Sequence, residues 1–247
     1  MSPNIERSRI ALRPSSVSLL GLVALLASGC ITSPAWENGA TPVAKRTEMN
    51  ACPNGLIDDL EDGDEQTAKV DNRGGYWFTY VDKFGTTIEP KKFKPEPGGP
   101  PGSKLAAHMK GQVAAAGDYP YAGLGLSLAN PKSGYDVSKA TGIRFWAKGP
   151  GRIHFELPDA NTDPSGDRCK DCYNHFGVYL ALEPEWNRYT IPFDRAAQES
   201  GWGDRAPAVD EKNMIGVQFK FGSFGQPYDL WFDNIELVGC DLPLESP

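Results

Sequence analysis

The stretch Ile215-Gly216-Val217-Gln218-Phe219-Lys220-Phe221 indicates most directly how this chain folds. Its large apolar side chains stand at every second position, and the polar side chains of Gln218 and Lys220 stand between them. Successive side chains of a β-strand point to opposite faces. The alternation therefore predicts a strand with one buried face and one polar face.

Segments of the same kind follow one another along most of the chain. In Arg152–Leu157 the apolar residues alternate with polar ones, and Gly and Pro break the pattern at Lys148-Gly149-Pro150-Gly151. Strands with one apolar face are typical of antiparallel sheets packed face to face, so we expect an all-β fold, an antiparallel β-sandwich. The other strand candidates are Gly75–Val81, Leu105–Lys110, Tyr121–Ala129, Gly142–Lys148, Phe176–Leu182, Asn187–Pro192 and Leu230–Val238.

Two segments depart from this pattern. Pro90–Gly102 is rich in Pro and Gly, and we expect it to be a mobile surface loop without regular structure. Ala196–Ser200 is expected to form one short helix.

The N-terminal residues read as an export signal. Three Arg precede the apolar stretch 17–27, which is too short to span a bilayer comfortably. The following Leu26-Ala27-Ser28-Gly29-Cys30 resembles a bacterial lipobox, in which the Cys becomes the lipidated N-terminus. An ordinary signal peptide cut near Ala27 is the alternative. We predict a lipid anchor on Cys30 and a place in the cell envelope, at the outer membrane or the cell surface.

The rest of the chain divides into a tether and a domain. With residues 1–29 as a lipoprotein signal peptide, residues 30–51 have the composition of a flexible tether, and residues 52–247 suffice for one sandwich domain. Residues 1–29 contain three Arg and one Glu, so 22 basic and 31 acidic side chains remain, a formal charge of −9. That balance argues against a nucleic-acid or anionic-membrane surface, so we expect no nucleic-acid partner and no membrane contact other than the lipid anchor.

The remaining four cysteines suggest two disulfides, because an exported chain meets oxidising conditions. Cys52 precedes the first strand and Cys240 follows the last, so the two meet if those strands run side by side. For the C-x-x-C pair Cys169 and Cys172, a redox motif lacks a thioredoxin-like context, and a zinc site with His175 lacks a fourth ligand. We therefore expect a local loop disulfide there.

A set of outward-pointing side chains is the candidate ligand site. Sugar binding requires flat aromatic faces for CH groups and planar hydrogen-bonding groups for hydroxyls, and this set offers both. We expect its strands to be neighbours in one sheet, with Tyr173 and His175 at one rim and Trp202 packed at a corner. The alternative is an ordinary solvated sheet face. The set comprises Arg144, Trp146, His154, Glu156, Tyr179, Gln218 and Lys220.

Four segments, taken together, resemble family 11 carbohydrate-binding modules and related galactose-binding-like jelly rolls of bacterial lipoproteins and glycanases. The resemblance spans most of residues 55–238. It implies a β-jelly-roll whose concave sheet binds β-linked glucans, and structural calcium near the chain ends. The insertion around 169–175 departs from the family pattern. The four segments are Ile57-Asp58-Asp59-Leu60-Glu61-Asp62-Gly63, Trp186-Asn187-Arg188-Tyr189-Thr190-Ile191-Pro192-Phe193, Gln198-Glu199-Ser200-Gly201-Trp202-Gly203 and Phe232-Asp233-Asn234-Ile235.

Acidic residues near both chain ends provide the oxygen ligands that calcium requires. Asp59 and Glu61 share one face if the opening strand is extended through them, and Asp233 lies in the closing strand expected beside it. Converging carboxylates repel one another unless a cation lies between them. The alternative is a solvated acidic edge that prevents pairing with other sheets.

The sequence thus predicts a monomeric lipoprotein that binds polysaccharide, of β-glucan type, without catalysis. One alternative is a structural or adhesion lipoprotein that does not bind sugar. A second is a glycoside hydrolase or lyase on the same fold, which requires two carboxylates across a cleft, and nothing marks Glu156 and Glu183 as such a pair. The sequence contains no Gly-x-Ser-x-Gly, His-Glu-x-x-His or phosphate-loop motif.

Overall fold

A computed structural model describes residues 49–240. Three 3-10 turns, Pro164–Gly166, Phe193–Arg195 and Glu211–Asn213, are the helical elements of this part of the chain. None of them is long and apolar enough to cross a membrane. The strands are β1 Ala51–Asp58, β2 Trp77–Val81, β3 Thr87–Glu89, β4 Glu96–Pro97, β5 Leu105–Gln112, β6 Ala122–Ser127, β7 Gly142–Lys148, β8 Gly151–Leu157, β9 Phe176–Leu182, β10 Asn187–Pro192, β11 Gly216–Phe221 and β12 Pro227–Val238.

The strands form two antiparallel sheets, which confirms the predicted β-sandwich. The seven-stranded sheet has the order β10-β7-β12-β5-β3, with β1 also paired to β12 and β4 to β5. The five-stranded sheet has the order β2-β6-β11-β8-β9. The nine strands expected from alternation are all present, with ends shifted by at most three residues.

Aromatic side chains from both sheets form the centre of the core. Phe145 of β7 stacks on Phe155 of β8 with 5.0 Å between ring centroids, and Phe219 of β11 stacks on Phe232 of β12 at 4.0 Å. All four rings are fully buried. Burying such rings is the main source of stability in a sandwich, so the apolar face of each strand fixes which way the strand lies.

The chain ends of the domain are joined as predicted. β1 pairs with β12 antiparallel, and Cys52 forms a disulfide with Cys240 across a sequence separation of 188. Cys169 and Cys172 form the expected local disulfide. β1 begins at Ala51, one residue inside the segment predicted as tether.

The opening strand does not extend through the acidic segment, contrary to the expectation from the sequence. β1 ends at Asp58, and Asp59 and Glu61 lie in the turn that follows. The Asp58 carboxylate accepts the amide of Leu60, and the Asp59 carboxylate accepts the amide of Glu61. Side chains that bond the backbone two residues ahead favour a turn over a ladder, which explains why the strand stops.

Two further local predictions are wrong. Segment 90–102 contains β4 and the buried Phe93, whose ring stacks on Trp77 at 4.9 Å, so a core contact orders a stretch rich in Pro. Segment 196–200 is not helical, because Ala197 pairs with Gly177 through two backbone hydrogen bonds of 3.0 Å. The predicted signal peptide, Cys30 and nearly all of the tether lie outside the described residues and stay predictions.

Candidate functional site

The outward surface of the five-stranded sheet, which we call the five-strand face, holds most of the predicted ligand set. The strand register places Gln218 beside Glu156, and Lys220 beside His154. His154 in turn pairs with Tyr179 of β9. Five side chains from three segments far apart in the sequence therefore lie side by side on this face, where Tyr179 is about half exposed and His154, Glu156 and Gln218 are largely buried.

Arg144 and Trp146 do not belong to this surface, so the expectation that they share its sheet is wrong. Both lie on β7 in the seven-stranded sheet. The Arg144 guanidinium donates to Glu236 at 2.8 Å, which ties β7 to β12. The chain crosses between sheets at Gly149 and Gly151, both at positive φ, and the sequence alternation carries no information about that crossing.

A buried carboxylate lies at the centre of the five-strand face. Glu156 forms an ion pair with Lys220, and its Oε1 lies 2.9 Å from Nδ1 of His154, outside the in-line geometry of a hydrogen bond. Burial by itself raises the pKa of Glu156, but His154 and the Lys220 ammonium outweigh it and hold the pKa below its usual value. The carboxylate is therefore ionised and held in one position at neutral pH.

An aromatic half of the five-strand face was not foreseen. Phe78 and Tyr80 of β2 lie across β6, where a Cβ added to Gly125 would approach the Phe78 ring to 2.5 Å and one added to Gly123 the Tyr80 ring to 2.1 Å. The two glycines thus leave room for two rings to lie flat on the sheet. The available signal was glycine at alternate positions of β6, opposite aromatic residues at alternate positions of β2.

Tyr80 also provides an unusual polar atom. Its hydroxyl is buried and, within residues 49–240, has no hydrogen-bond partner. Burial and the nearby Glu156 charge raise the pKa of Tyr80 well above its usual value, so the hydroxyl stays protonated. The ring of Tyr121 lies 6.0 Å from that of Tyr80 and extends the aromatic half.

Tyr179 marks the other side of the five-strand face. His154 stacks on its ring with 4.2 Å between centroids, and the Arg152 guanidinium lies 4.3 Å from the ring centroid. Its hydroxyl donates to Glu199, and burial together with this bond raises the pKa of Tyr179 to about 12. The ring is thus held rigidly but remains about half exposed.

The rim near the C-x-x-C loop differs from expectation in two positions. His175 is only 3% exposed and bonds to Thr162 at 3.0 Å, so it holds the loop together instead of facing solvent; burial lowers its pKa to about 4. Tyr173 is 62% exposed, as a rim residue should be. Trp202, expected to be packed, is 42% exposed.

The three predicted calcium ligands lie near one another at the domain's chain ends. Asp233 is fully buried with Oδ2 unpartnered within the described part of the chain, and burial raises its pKa to about 7, with added repulsion from Glu61 and Asp59. An orphaned carboxylate oxygen fits a cation ligand. Glu61 fits less well, because one of its oxygens already accepts from Ser103 and two backbone amides.

No group of three His, Cys, Asp or Glu side chains suited to a metal ion occurs within residues 49–240. The carboxylates therefore lie close enough to influence one another but do not form a closed ligand set. Calcium at this place stays a prediction.

Comparison with solved structures identifies the fold. The chain is similar to the family 11 carbohydrate-binding module of the cellulosomal cellulase Lic26A-Cel5E of Clostridium thermocellum, at 19% identity and a TM-score of 0.57, over 77% of this chain and 96% of that chain. It is also similar to a family 11 module from Clostridium thermocellum in complex with a β-1,3-1,4-mixed-linked tetrasaccharide, at 19% identity and a TM-score of 0.53, over 75% and 95%. No family model and no curated protein matches the sequence. The fold is that of a carbohydrate-binding-module jelly roll.

Proposed function

We propose that this protein binds polysaccharide without catalysis, through the five-strand face, and that its ligand is a β-linked glucan. The observation that carries the proposal is the junction of two surfaces on one sheet. Phe78 and Tyr80 lie flat on one half, and Glu156, Gln218 and Lys220 form a polar half beside them. A pyranose ring presents CH groups on its faces and hydroxyls at its edge, so it matches both halves at once.

The protonation states support binding over hydrolysis. A glycosidase requires one carboxyl that is protonated near neutral pH to act as general acid. Glu199 and Glu156 are carboxylates whose charges act on Tyr179, and the pKa of each is lowered, that of Glu199 chiefly by hydrogen bonds from Tyr179 and Trp202. Neither is suited to donate a proton.

The fold similarity supports the ligand class. One solved module with a similar fold is in complex with a β-1,3-1,4-mixed-linked tetrasaccharide. The acidic balance of the chain disfavours a polyanionic ligand and is compatible with a neutral glucan. We also propose a lipid anchor on Cys30 that holds a monomer at the cell envelope, and calcium bound at Asp233.

The test is affinity electrophoresis of the full chain in gels that contain mixed-linkage β-glucan, xyloglucan, xylan or galactomannan. Retardation by a β-glucan is expected, and Phe78→Ala or Gln218→Ala should abolish it. Trp146→Ala is the matched control, because this aromatic residue lies on the other sheet and should leave retardation unchanged.

Two other outcomes point to the alternative functions. Absence of retardation in every gel would favour a structural or adhesion protein on the same fold. Release of new reducing ends from any of these polymers would favour a hydrolase.

A further inference from the structure

Two exposed aromatic rings lie beyond the edge strand β9, on loops that the five-strand face does not include. Tyr173 follows the Cys169–Cys172 disulfide, and Trp202 lies on the loop after Ala197, which bridges to Gly177 of β9. We call this pair the aromatic ledge. Tyr173 is 62% exposed and Trp202 is 42% exposed.

Hydrogen bonds fasten the two loops to each other. The Asn174 side chain donates to the backbone carbonyl of Glu199 at 2.9 Å and to that of Trp202 at 2.6 Å. In the other direction, the amide of Gly203 donates to the Asp171 carboxylate at 3.1 Å. The ledge is therefore one ordered unit.

The ledge is continuous with the five-strand face. The Trp202 indole donates to Glu199 at 3.2 Å, and the same carboxylate accepts the hydroxyl of Tyr179. The backbone pairing of Ala197 with Gly177 extends the sheet by one short rung towards the ledge. A ligand lying across the sheet and over Tyr179 thus arrives next at Trp202.

The structure holds the backbone of Tyr173 in place at a conformational cost. Tyr173 has φ of 77°, a left-handed value that is uncommon and strained for an aromatic residue, and its amide is held by the carbonyl of Thr162 at 2.7 Å. Strain of this kind persists where the surroundings impose it, and it occurs preferentially at binding sites. A ring that is held before binding loses little freedom when a ligand stacks on it.

We propose that the aromatic ledge is an additional subsite, which binds a sugar ring of the same polysaccharide chain beyond the edge of the five-strand face. Trp202 supplies the platform, with its indole fixed by Glu199, and Tyr173 forms the outer limit. The Cys169–Cys172 disulfide keeps the outer loop closed. This inference rests on the proposed function.

The experiment compares a short and a long ligand by titration calorimetry with the full chain. The probes are the β-1,3-1,4-mixed-linked tetrasaccharide and the mixed-linkage β-glucan polymer. Trp202→Ala should weaken polymer binding about tenfold, the size of effect typical of one lost aromatic contact, and change tetrasaccharide binding by less than about twofold. Trp202→Phe should restore much of the polymer affinity, because it keeps an aromatic face for stacking, although a smaller one without the indole N–H.

Further variants distinguish a failure of the proposed subsite from a failure of the proposed function. Gln218→Ala, on the five-strand face, should weaken both probes equally. Cys169→Ser/Cys172→Ser should reproduce the selective loss of polymer affinity. Equal weakening of both probes by Trp202→Ala, or no weakening of either, would overturn the subsite while the proposed function stands. A wild-type protein that binds neither probe would overturn the proposed function, and the subsite with it.

Discussion

The imidazole of His154 lies parallel to the phenol ring of Tyr179, with 4.2 Å between the ring centroids and an interplanar angle of 11°. The two residues are direct partners in the β8–β9 ladder, on the outer side of the sheet. This stack connects the polar centre of the five-strand face, around Glu156, with Tyr179 on the side opposite the aromatic half.

Tyr179→Ala should weaken β-glucan binding about tenfold, because it removes the ring and releases His154 from its stack. Tyr179→Phe keeps the ring and loses only the bond to Glu199, so it should bind nearly as well as the wild type. Calorimetry with the glucan polymer measures both. Equal losses in the two variants would assign the effect to the hydroxyl and contradict a role for the ring.

Gly123→Ala should disturb the aromatic half of the five-strand face by displacing the side chain of Tyr80. The added methyl would come within 2.1 Å of the Tyr80 ring, so the ring must leave the sheet. We expect a loss of about 1–3 kcal/mol in unfolding free energy and weaker glucan binding. The double variant Gly123→Ala/Tyr80→Ala should lose less stability in urea than the two single losses combined, since the clash is absent. Additive losses would show that the clash is not the cause.

The buried pair Asp58 and Trp77 predicts a pH-dependent effect on stability. Trp77 donates to the Asp58 carboxylate at 2.6 Å, and burial raises the pKa of Asp58 to about 6. Trp77→Phe should destabilise the domain by about 1–3 kcal/mol at pH 8, where Asp58 is ionised and loses its donor, and by less at pH 5, where it is protonated. Urea unfolding at both pH values measures this. In an Asp58→Asn background the pH dependence of the loss should disappear.

The Cys52–Cys240 disulfide should contribute most of the stabilisation that reduction removes. It closes a loop with a sequence separation of 188, and the chain-entropy relation gives roughly 5 kcal/mol for a loop of that length. Cys52→Ser/Cys240→Ser should therefore shift the urea midpoint strongly. Cys169→Ser/Cys172→Ser, with a separation of 3, is the control and should shift it little. Similar shifts for both pairs would contradict the assignment.

Asp233 offers a test of the calcium proposal. Its pKa is raised from 3.8 to about 7, so the folded state binds the extra proton between these values and stability falls as pH rises from about 4 to 7. The slope is at most about 1.4 kcal/mol per pH unit and is reduced by solvent screening. In chelator at pH 8, Asp233→Asn should raise the melting temperature, because it removes a buried unpaired charge.

Added calcium should reverse that order. The wild type should gain melting temperature on calcium binding, and Asp233→Asn should not. A gain of equal size in both proteins, or in neither, would refute calcium at Asp233.

Alternation along single strands was enough to predict the sandwich and the inward side of each strand. Phe155, Phe219 and their neighbours could be assigned to the core because burial acts on every second residue, whatever the partner strand. The closing disulfide followed from the positions of Cys52 and Cys240 at the two domain ends. The candidate site was predicted only in part, since His154, Glu156, Tyr179, Gln218 and Lys220 share one face but Arg144 and Trp146 lie on the other sheet.

Local sequence by itself therefore determined the nine alternating strands, their core side and their outward polar side chains, because those depend on a residue's own strand. Tertiary structure alone decided which strands are neighbours, and hence which outward residues meet. It placed Phe78 and Tyr80 over the glycines of β6, exposed Trp202 and buried His175. These arrangements depend on contacts between segments distant in the chain, and no period in the sequence encodes the partner that a side chain will find across a sheet.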